Sequence, residues 1–243
     1  MLSIFLILFL NNSLNIIQTL LGQYCLLCGT ASNGDLCLPC RDSLPHLPLH
    51  HCRVCALPVT GSHVCGACLA KPPAFDRTVA AFRYAFPMDA LVHSLKYQAN
   101  LSMAPVLADL LLTRIDKSPI PDFIVPMPLH PVRLRERGFN QALEIGRKLS
   151  KQCGSPLLPG ACQRIKNTPS QAGLPWKERE KNIRGVFTCE TDLTGKHIAI
   201  LDDVMTTGAT LNELAKTLRK HGAVRVSGWV VARTMSPVSL HDS

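Results

Sequence analysis

The chain has 243 residues, 26 Lys and Arg against 17 Asp and Glu, a formal net charge of +9 and a pI near 9.1. Apolar residues make up 47%, which excludes an intrinsically disordered chain, and the absence of any glycine period or internal repeat excludes collagen-like and solenoid folds. The length accommodates one full domain plus a small module, and the basic excess calls for an anionic partner: phosphates, nucleic acid or an acidic membrane surface. Position narrows that choice, because twelve positive residues against five negative ones fall between Asp122 and Arg184, while the rest of the chain is close to balanced.

In chain order, Met1–Leu10 is an uncharged apolar run with no Lys or Arg before Arg41, so it lacks the basic start of a signal peptide. It is also far shorter than the ~20 residues that span a bilayer. In Ser13–Leu21, the residues Leu14, Ile17, Leu20 and Leu21 fall at helical spacing behind a possible Ser13 N-cap, which predicts a short amphipathic helix. Stable membrane insertion is not expected, and a cytoplasmic protein is.

Eight of the 11 cysteines follow as four C-x-x-C pairs: Cys25/Cys28, Cys37/Cys40, Cys52/Cys55 and Cys65/Cys68. Each pair can present two thiolates from one tight turn to a tetrahedral ion, so two pairs complete a four-cysteine zinc site. The stretch is too short and too broken by proline to build its own core, and metal would have to hold it folded. A disulfide framework would need an oxidising compartment. Two structural zinc ions are therefore expected, either as 25/28/37/40 with 52/55/65/68 or in an interleaved pairing of the same residues. Cys153, Cys162 and Cys189 have no partner at ligand spacing.

After Pro72-Pro73 strands and helices alternate. Phe75–Tyr84 reads as a strand, Pro87–Tyr97 as a helix, and Met103–Leu111 as a second helix ended before Pro119. Asp122–Pro128 is a short buried strand, Asn140–Cys153 a helix stopped by Gly154, and His197–Leu201 a buried strand. Thr210–His221 is a helix with Gly222 at its end, and Val224–Ala232 the last strand. Such alternation gives a parallel sheet with helices on both faces, and ligands of such sheets bind at the carboxyl ends of the strands.

The most informative stretch is Ile198–Leu211, IAILDDVMTTGATL. It places Asp202 and Asp203 at the end of an apolar strand, and Thr206, Thr207, Gly208, Ala209 and Thr210 in the turn into a helix. That turn offers backbone N–H groups, hydroxyls and the positive end of a helix dipole to a small anion. Two carboxylates beside an anion cradle make chemical sense if the ligand also carries vicinal hydroxyls, because carboxylates are pure acceptors. The ligand implied is a sugar phosphate.

This stretch resembles the 5-phosphoribosyl-1-pyrophosphate (PRPP) motif of type I phosphoribosyltransferases. The resemblance implies that Asp202 and Asp203 hold the ribose hydroxyls, that Thr206, Thr207, Gly208, Ala209 and Thr210 hold the 5-phosphate, and that Mg²⁺ accompanies PRPP. The cysteine pairs, Pro73-Ala74-Phe75-Asp76, Leu95-Lys96-Tyr97, PMPLH (126–130), RERGFNQA (135–142), KEREKNIRGVF (177–187) and the PRPP loop occur in that order. Together they resemble the ComF (ComFC/GntX) family of competence-associated proteins, a zinc-ribbon module fused to a phosphoribosyltransferase-like domain.

The resemblance implies a domain plan of an N-terminal segment at 1–24, a double zinc ribbon at 25–72, a type I phosphoribosyltransferase-like α/β domain at 73–236 and a tail at 237–243. It also implies that the loop Pro126–Arg137 contacts pyrophosphate through Arg133, Arg135 and Arg137, since arginine forks suit phosphate oxygens. Arg164, Lys177 and Arg179 are expected in a hood or flap over the cleft. Transfer of a phosphoribosyl group needs no protein nucleophile, so no catalytic residue is singled out. Three functions share the PRPP site: handling of imported single-stranded DNA with competence or DNA-processing proteins, phosphoribosyl transfer to a small base or amine, and PRPP sensing without turnover.

Overall fold

A computed structural model describes residues 23–115, 119–167 and 183–235. The helix expected at Ser13–Leu21 lies outside these residues, as do Lys177 and Arg179 of the expected flap. The chain divides into two compact units, Met1–Leu44 and Pro45–Ser243. The first holds α1 (Leu38–Asp42), which carries Pro39 in its first turn and follows Cys37, and a bridge between Tyr24 and Ala31. The second holds the other two cysteine pairs, with α2 (Gly66–Ala70) starting directly after Cys65, and the main sheet.

The main sheet contains β1 (Arg77–Arg83), β2 (Phe123–Pro126), β5 (His197–Met205) and β6 (Arg225–Arg233), in the order β1-β6-β5-β2. All three pairings are parallel. Beyond β2 a parallel bridge joins Ile124 to Leu157. Between the strands run α3 (Met88–Gln98), α4 (Met103–Ile115), α5 (Pro131–Arg137), α6 (Gln141–Cys153) and α7 (Ala209–Lys220). A separate antiparallel ribbon pairs β3 (Cys162–Arg164) with β4 (Phe187–Cys189), setting Cys162 opposite Cys189.

Strand alternation assigns the helices to two faces. Ile198 and Ile200 join Val226, Val230, Leu211, Leu214 and Leu218 in one buried cluster, which places α7 on that face. Leu201 faces α6 instead: a Cβ built on Gly146 would stand 3.1 Å from its Cδ2. Burial on both faces explains why these strands read as continuous apolar runs. The expected parallel sheet with helices on both faces is therefore the observed architecture.

Two local readings are corrected. First, the strand expected to stop at Leu201 runs to Met205, because β6 continues beside it as far as the pair Met205 and Arg233. The two aspartates thus sit inside the strand, with Asp202 opposite Val230. Second, the segment expected as a basic loop through Arg137 contains helix α5. His130 caps it by accepting from the Val132 N–H at 3.3 Å, Pro131 occupies its start, and Gly138 ends it at φ 82°. Among the described residues no helix is long and apolar enough to cross a membrane.

Candidate functional site

The two cysteine tetrads are sequential. Sulfurs of Cys25, Cys28, Cys37 and Cys40 all lie within 4.8 Å of one another, and so do those of Cys52, Cys55, Cys65 and Cys68. Zinc bound to four thiolates at about 2.3 Å sets tetrahedral S···S edges of about 3.8 Å. The Cys28–Cys37 and Cys55–Cys65 distances are 3.7 and 3.6 Å. Backbone donors favour the thiolate at one buried sulfur of each tetrad, while burial and neighbouring sulfurs push Cys40, Cys55 and Cys68 the other way. Burial raises the Cys25 thiol, but N–H groups of Cys37, Cys28 and Leu27 outweigh it and leave it at about 6. In the second tetrad burial is likewise outweighed at Cys52, which falls to about 7 through N–H groups of Cys65, Cys55 and Val54. The Cys65 N–H lies 3.3 Å from Cys52 Sγ. All eight residues fit structural zinc.

The second candidate centre lies where β5 gives way to α7. Thr206 is exposed, and Thr207, Gly208, Ala209 and Thr210 are half-buried. Gly208 occupies the N-cap of α7 at φ 78°, a conformation that L side chains avoid. A Cβ there would also stand 2.6 Å from Met205 Cε, the end of a flexible side chain that would have to shift, so the positive φ is the main ground for glycine. Thr207 Oγ1 accepts from the Ala209 N–H at 3.2 Å. The loop presents N–H groups and hydroxyls at the positive end of a twelve-residue helix.

Beside this loop the aspartates are unequal. Asp203 is buried and accepts from Lys96 Nζ at 2.9 Å and from Gln141 Nε2 at 3.5 Å. Burial alone would raise its carboxyl, but the Lys96 ammonium, the Asp202 contact and the Gln141 amide together pull it below the usual range. Asp202 is half-buried; its Oδ1 accepts from the Asp203 N–H at 2.9 Å. Burial and the neighbouring Asp203 charge push it well above the usual carboxylate range. Asp203 is therefore the tethered member that favours the carboxylate, while burial and its neighbour's charge favour the protonated form of Asp202.

Lys96 and Gln141 stand in the quoted LKY and RGFNQA motifs, yet sequence reasoning gave neither a role. Lys96 was legible in principle, as the one cation in an α3 face of Leu91, Val92 and Leu95. Gln141 depends on Asn140, whose Oδ1 caps α6 by accepting from the N–H groups of Ala142 and Leu143 at 2.9 and 3.2 Å. The motif Pro73-Ala74-Phe75-Asp76 also finds its reason. Both Asp76 oxygens accept from Arg219 Nη2 at 2.7 Å, and Asn212 Oδ1 accepts from the Ala74 N–H at 2.7 Å, which ties this entry segment to α7.

The three arginines of α5 do not form one donor surface. Residues 133 and 137 share a helix face and 135 does not. Arg133 is exposed and paired with Glu136 at 2.9 Å, and Arg135 is exposed. Arg137 is the one connected to the acidic pair: its Nη1 donates to Gln141 Oε1 at 2.5 Å, and its guanidinium lies 5.9 Å from the Tyr97 ring centre. Arg164, on β3, lies over Phe187 at 5.8 Å and feels the charges of Asp202 and Arg133. A cavity of about 480 Å³ opens between α5, α6 and β3, with Phe139, Asn140, Arg147, Gln163 and Arg164 among its walls.

Comparison with known proteins agrees with this layout. The double zinc ribbon domain family matches residues 16–69, and the phosphoribosyl transferase domain family matches residues 154–243. DNA utilization protein YhgH of Escherichia coli K12 is 37% identical over 191 residues, 76% of this chain and 84% of that protein. Competence protein F of Haemophilus influenzae Rd is 34% identical over 214 residues, 84% of this chain and 92% of that protein. Competence protein ComFC of Bacillus subtilis 168 is 26% identical, over 86% of this chain and 95% of that protein. With such identity carried across most of both chains, and with both component domains matched in order, the chain belongs to the competence protein F (ComF) family.

Proposed function

We propose that the chain binds PRPP with Mg²⁺ at the β5–α7 junction and acts in the cytoplasm in handling single-stranded DNA, a reading in keeping with relatives named for competence and DNA utilization. The observation that carries PRPP binding is the junction itself: an acidic pair beside a glycine-bearing helix N-terminus, on neighbouring residues of one chain. In this reading N–H groups and hydroxyls from Thr206 to Thr210 take the 5-phosphate. Asp202 accepts from the ribose hydroxyls, with Asp203 held behind it by Lys96 and Gln141. Mg²⁺, when bound with PRPP, would neutralise pyrophosphate charge, and Arg137 and Arg164 supply cations on the same side as the acidic pair. Residues Asp122–Arg184 give the excess positive charge that follows a nucleic-acid backbone without reading sequence.

Calorimetry with PRPP and Mg²⁺ tests the common premise. Asp202→Asn, and Asp202→Asn combined with Asp203→Asn, should weaken binding at least tenfold, about 1.4 kcal/mol; unchanged affinity defeats the site. Single-stranded DNA binding across a salt series tests the second element. Charge reversal at Arg135 and Arg137 should lower both the affinity and the salt slope.

A second reading, phosphoribosyl transfer to a small base or amine, is favoured by the cavity of about 480 Å³ walled by α5, α6 and Arg164. Pyrophosphate release from PRPP across a panel of bases and amines, with and without single-stranded DNA, separates it from PRPP sensing without turnover.

A further inference from the structure

The second cysteine tetrad and the phosphate loop share one buried side chain. Arg233, the last residue of β6, is 2% exposed. Its Nε donates to the Cys55 carbonyl at 2.8 Å. Its Nη1 donates to the carbonyls of Met205 at 3.1 Å and Thr234 at 2.7 Å, and to that of Thr206. Cys55 is the second sulfur of a C-x-x-C turn, while Met205 and Thr206 end β5 and begin the loop. A guanidinium is a planar, rigid fork, so the two backbones cannot move independently around it.

A second side chain ties the same two places. The Thr78 N–H donates to the Arg53 carbonyl at 3.1 Å, and Thr78 Oγ1 donates to the Val54 carbonyl at 2.6 Å and reaches Met205 Sδ at 3.8 Å. The consecutive carbonyls of Arg53, Val54 and Cys55 are therefore all held from the sheet, the first two by Thr78 of β1 and the third by Arg233 of β6. Met205 in turn packs against Gly208, leaving no space for a Cβ. Contact thus runs unbroken from the metal knuckle to the N-cap of α7.

A buried arginine that merely satisfies carbonyls is the plainer account of this geometry. Against it stands the placement of the carbonyls, because the fork's two ends hold a metal-ligating turn and the entry to the candidate phosphate loop. The Cys52–Cys55 turn takes its geometry from four sulfurs around an ion, and a zinc ion with four thiolates carries a formal charge of −2, which suits a buried cation beside it. The Thr206–Thr210 loop is the segment read as the phosphate cradle.

We propose that Arg233 is a positioning residue that makes the second tetrad a working part of the phosphate loop, so that zinc at Cys52, Cys55, Cys65 and Cys68 and a phosphate monoester at Thr206–Thr210 bind with positive cooperativity. The proposal rests on the reading of that loop as a phosphate site. Binding linkage is reciprocal, so each ligand must tighten the other by the same factor.

The test uses the full chain with ribose 5-phosphate as probe and two readouts: its affinity by calorimetry, and the rate at which zinc passes to a chromogenic chelator. In C28S/C40S, which leaves only the second tetrad intact, saturating ribose 5-phosphate should slow zinc release by about tenfold, within the usual range of coupling between sites. In C65S/C68S the affinity for ribose 5-phosphate should fall by about tenfold. Arg233→Lys keeps the charge and all eight thiols but removes the fork. It should retain both zinc ions and lose the effect of ribose 5-phosphate on zinc release. If C65S/C68S gives no cooperative melt, Arg233→Lys decides alone. Zinc release from C28S/C40S that ignores the sugar phosphate, or undiminished coupling in Arg233→Lys, overturns the proposal. Failure of the unsubstituted chain to bind ribose 5-phosphate instead defeats the phosphate-site reading on which it rests.

Discussion

Lys96 Nζ stands 2.9 Å from Asp203 Oδ2, with the lysine side chain 24% exposed and the aspartate 3%. This ion pair joins the last turn of α3 to the strand that feeds the Thr206–Thr210 loop, and Gln141 supplies Asp203 with a second donor from α6. Three elements far apart in sequence thus converge on one carboxylate.

Removing the lysine leaves Asp203 buried beside Asp202 without its main counter-charge. Lys96→Met should destabilise the chain by about 3 kcal/mol, the low end for a broken buried pair because the lysine is partly exposed. Urea denaturation of Lys96→Met, Asp203→Asn and the double variant measures the coupling. A double variant as unstable as the sum of the singles would show that the pair contributes nothing of its own.

Gly208→Ala places a Cβ at φ 78° and 2.6 Å from Met205 Cε. The left-handed backbone alone costs about 1–2 kcal/mol, and Met205 must shift as well. We expect a lower melting temperature and a larger proportional loss of PRPP affinity than of stability. Gly195→Ala, also at positive φ (76°) but with open space around its Cβ, should lose stability without losing affinity.

His197 provides a pH prediction. Burial, then the Arg225 charge, lowers its pKa below the ordinary 6.5, with Asp122 opposing. The folded state therefore favours the neutral ring, whose Nε2 is 2.8 Å from Ser227 Oγ. Below pH 6.5 the unfolded chain binds the proton more readily, so this group's contribution to stability is complete above that pH and is lost as pH falls through the folded pKa. His197→Gln should flatten that part of the stability profile below about pH 6.5. Denaturant melts across the range check it, and an unchanged slope refutes the assignment.

Metal content gives the fourth test. Purified protein should carry about two zinc ions per chain, falling to about one in C28S/C40S or C65S/C68S. Chelation should unfold the ribbon segments, which lack an apolar core of their own. Retention of two ions in either variant would contradict the sequential tetrads.

The sequence alone was enough for the four C-x-x-C pairs, the strand–helix alternation and the Asp-Asp/Thr-Thr-Gly junction. Each is written in residues whose chemistry acts over a few positions: thiolates at two-residue spacing, an apolar run ended by turn-formers, a glycine where φ must be positive. The family was legible for the same reason, since its motifs are short and occur in order. The strand end at Met205 was not legible, because it depends on how far β6 extends beside it. Nor was the helix at Pro131–Arg137, which divides three arginines that look equivalent in sequence between two faces.

The excess charge between Asp122 and Arg184 was visible from composition and position, but which of those cations reach the acidic pair was not. Only the folded chain brings Arg137 to it through Gln141, and Lys96 to Asp203 across 107 positions. The same holds for Arg233, whose one guanidinium meets Cys55 and Thr206 from a third place in the chain. Local chemistry names the groups able to hold zinc and phosphate. Long-range packing decides which buried charge stands beside which carbonyl or carboxylate, because such partners are chosen by the register of neighbouring strands and helices rather than by spacing along the chain.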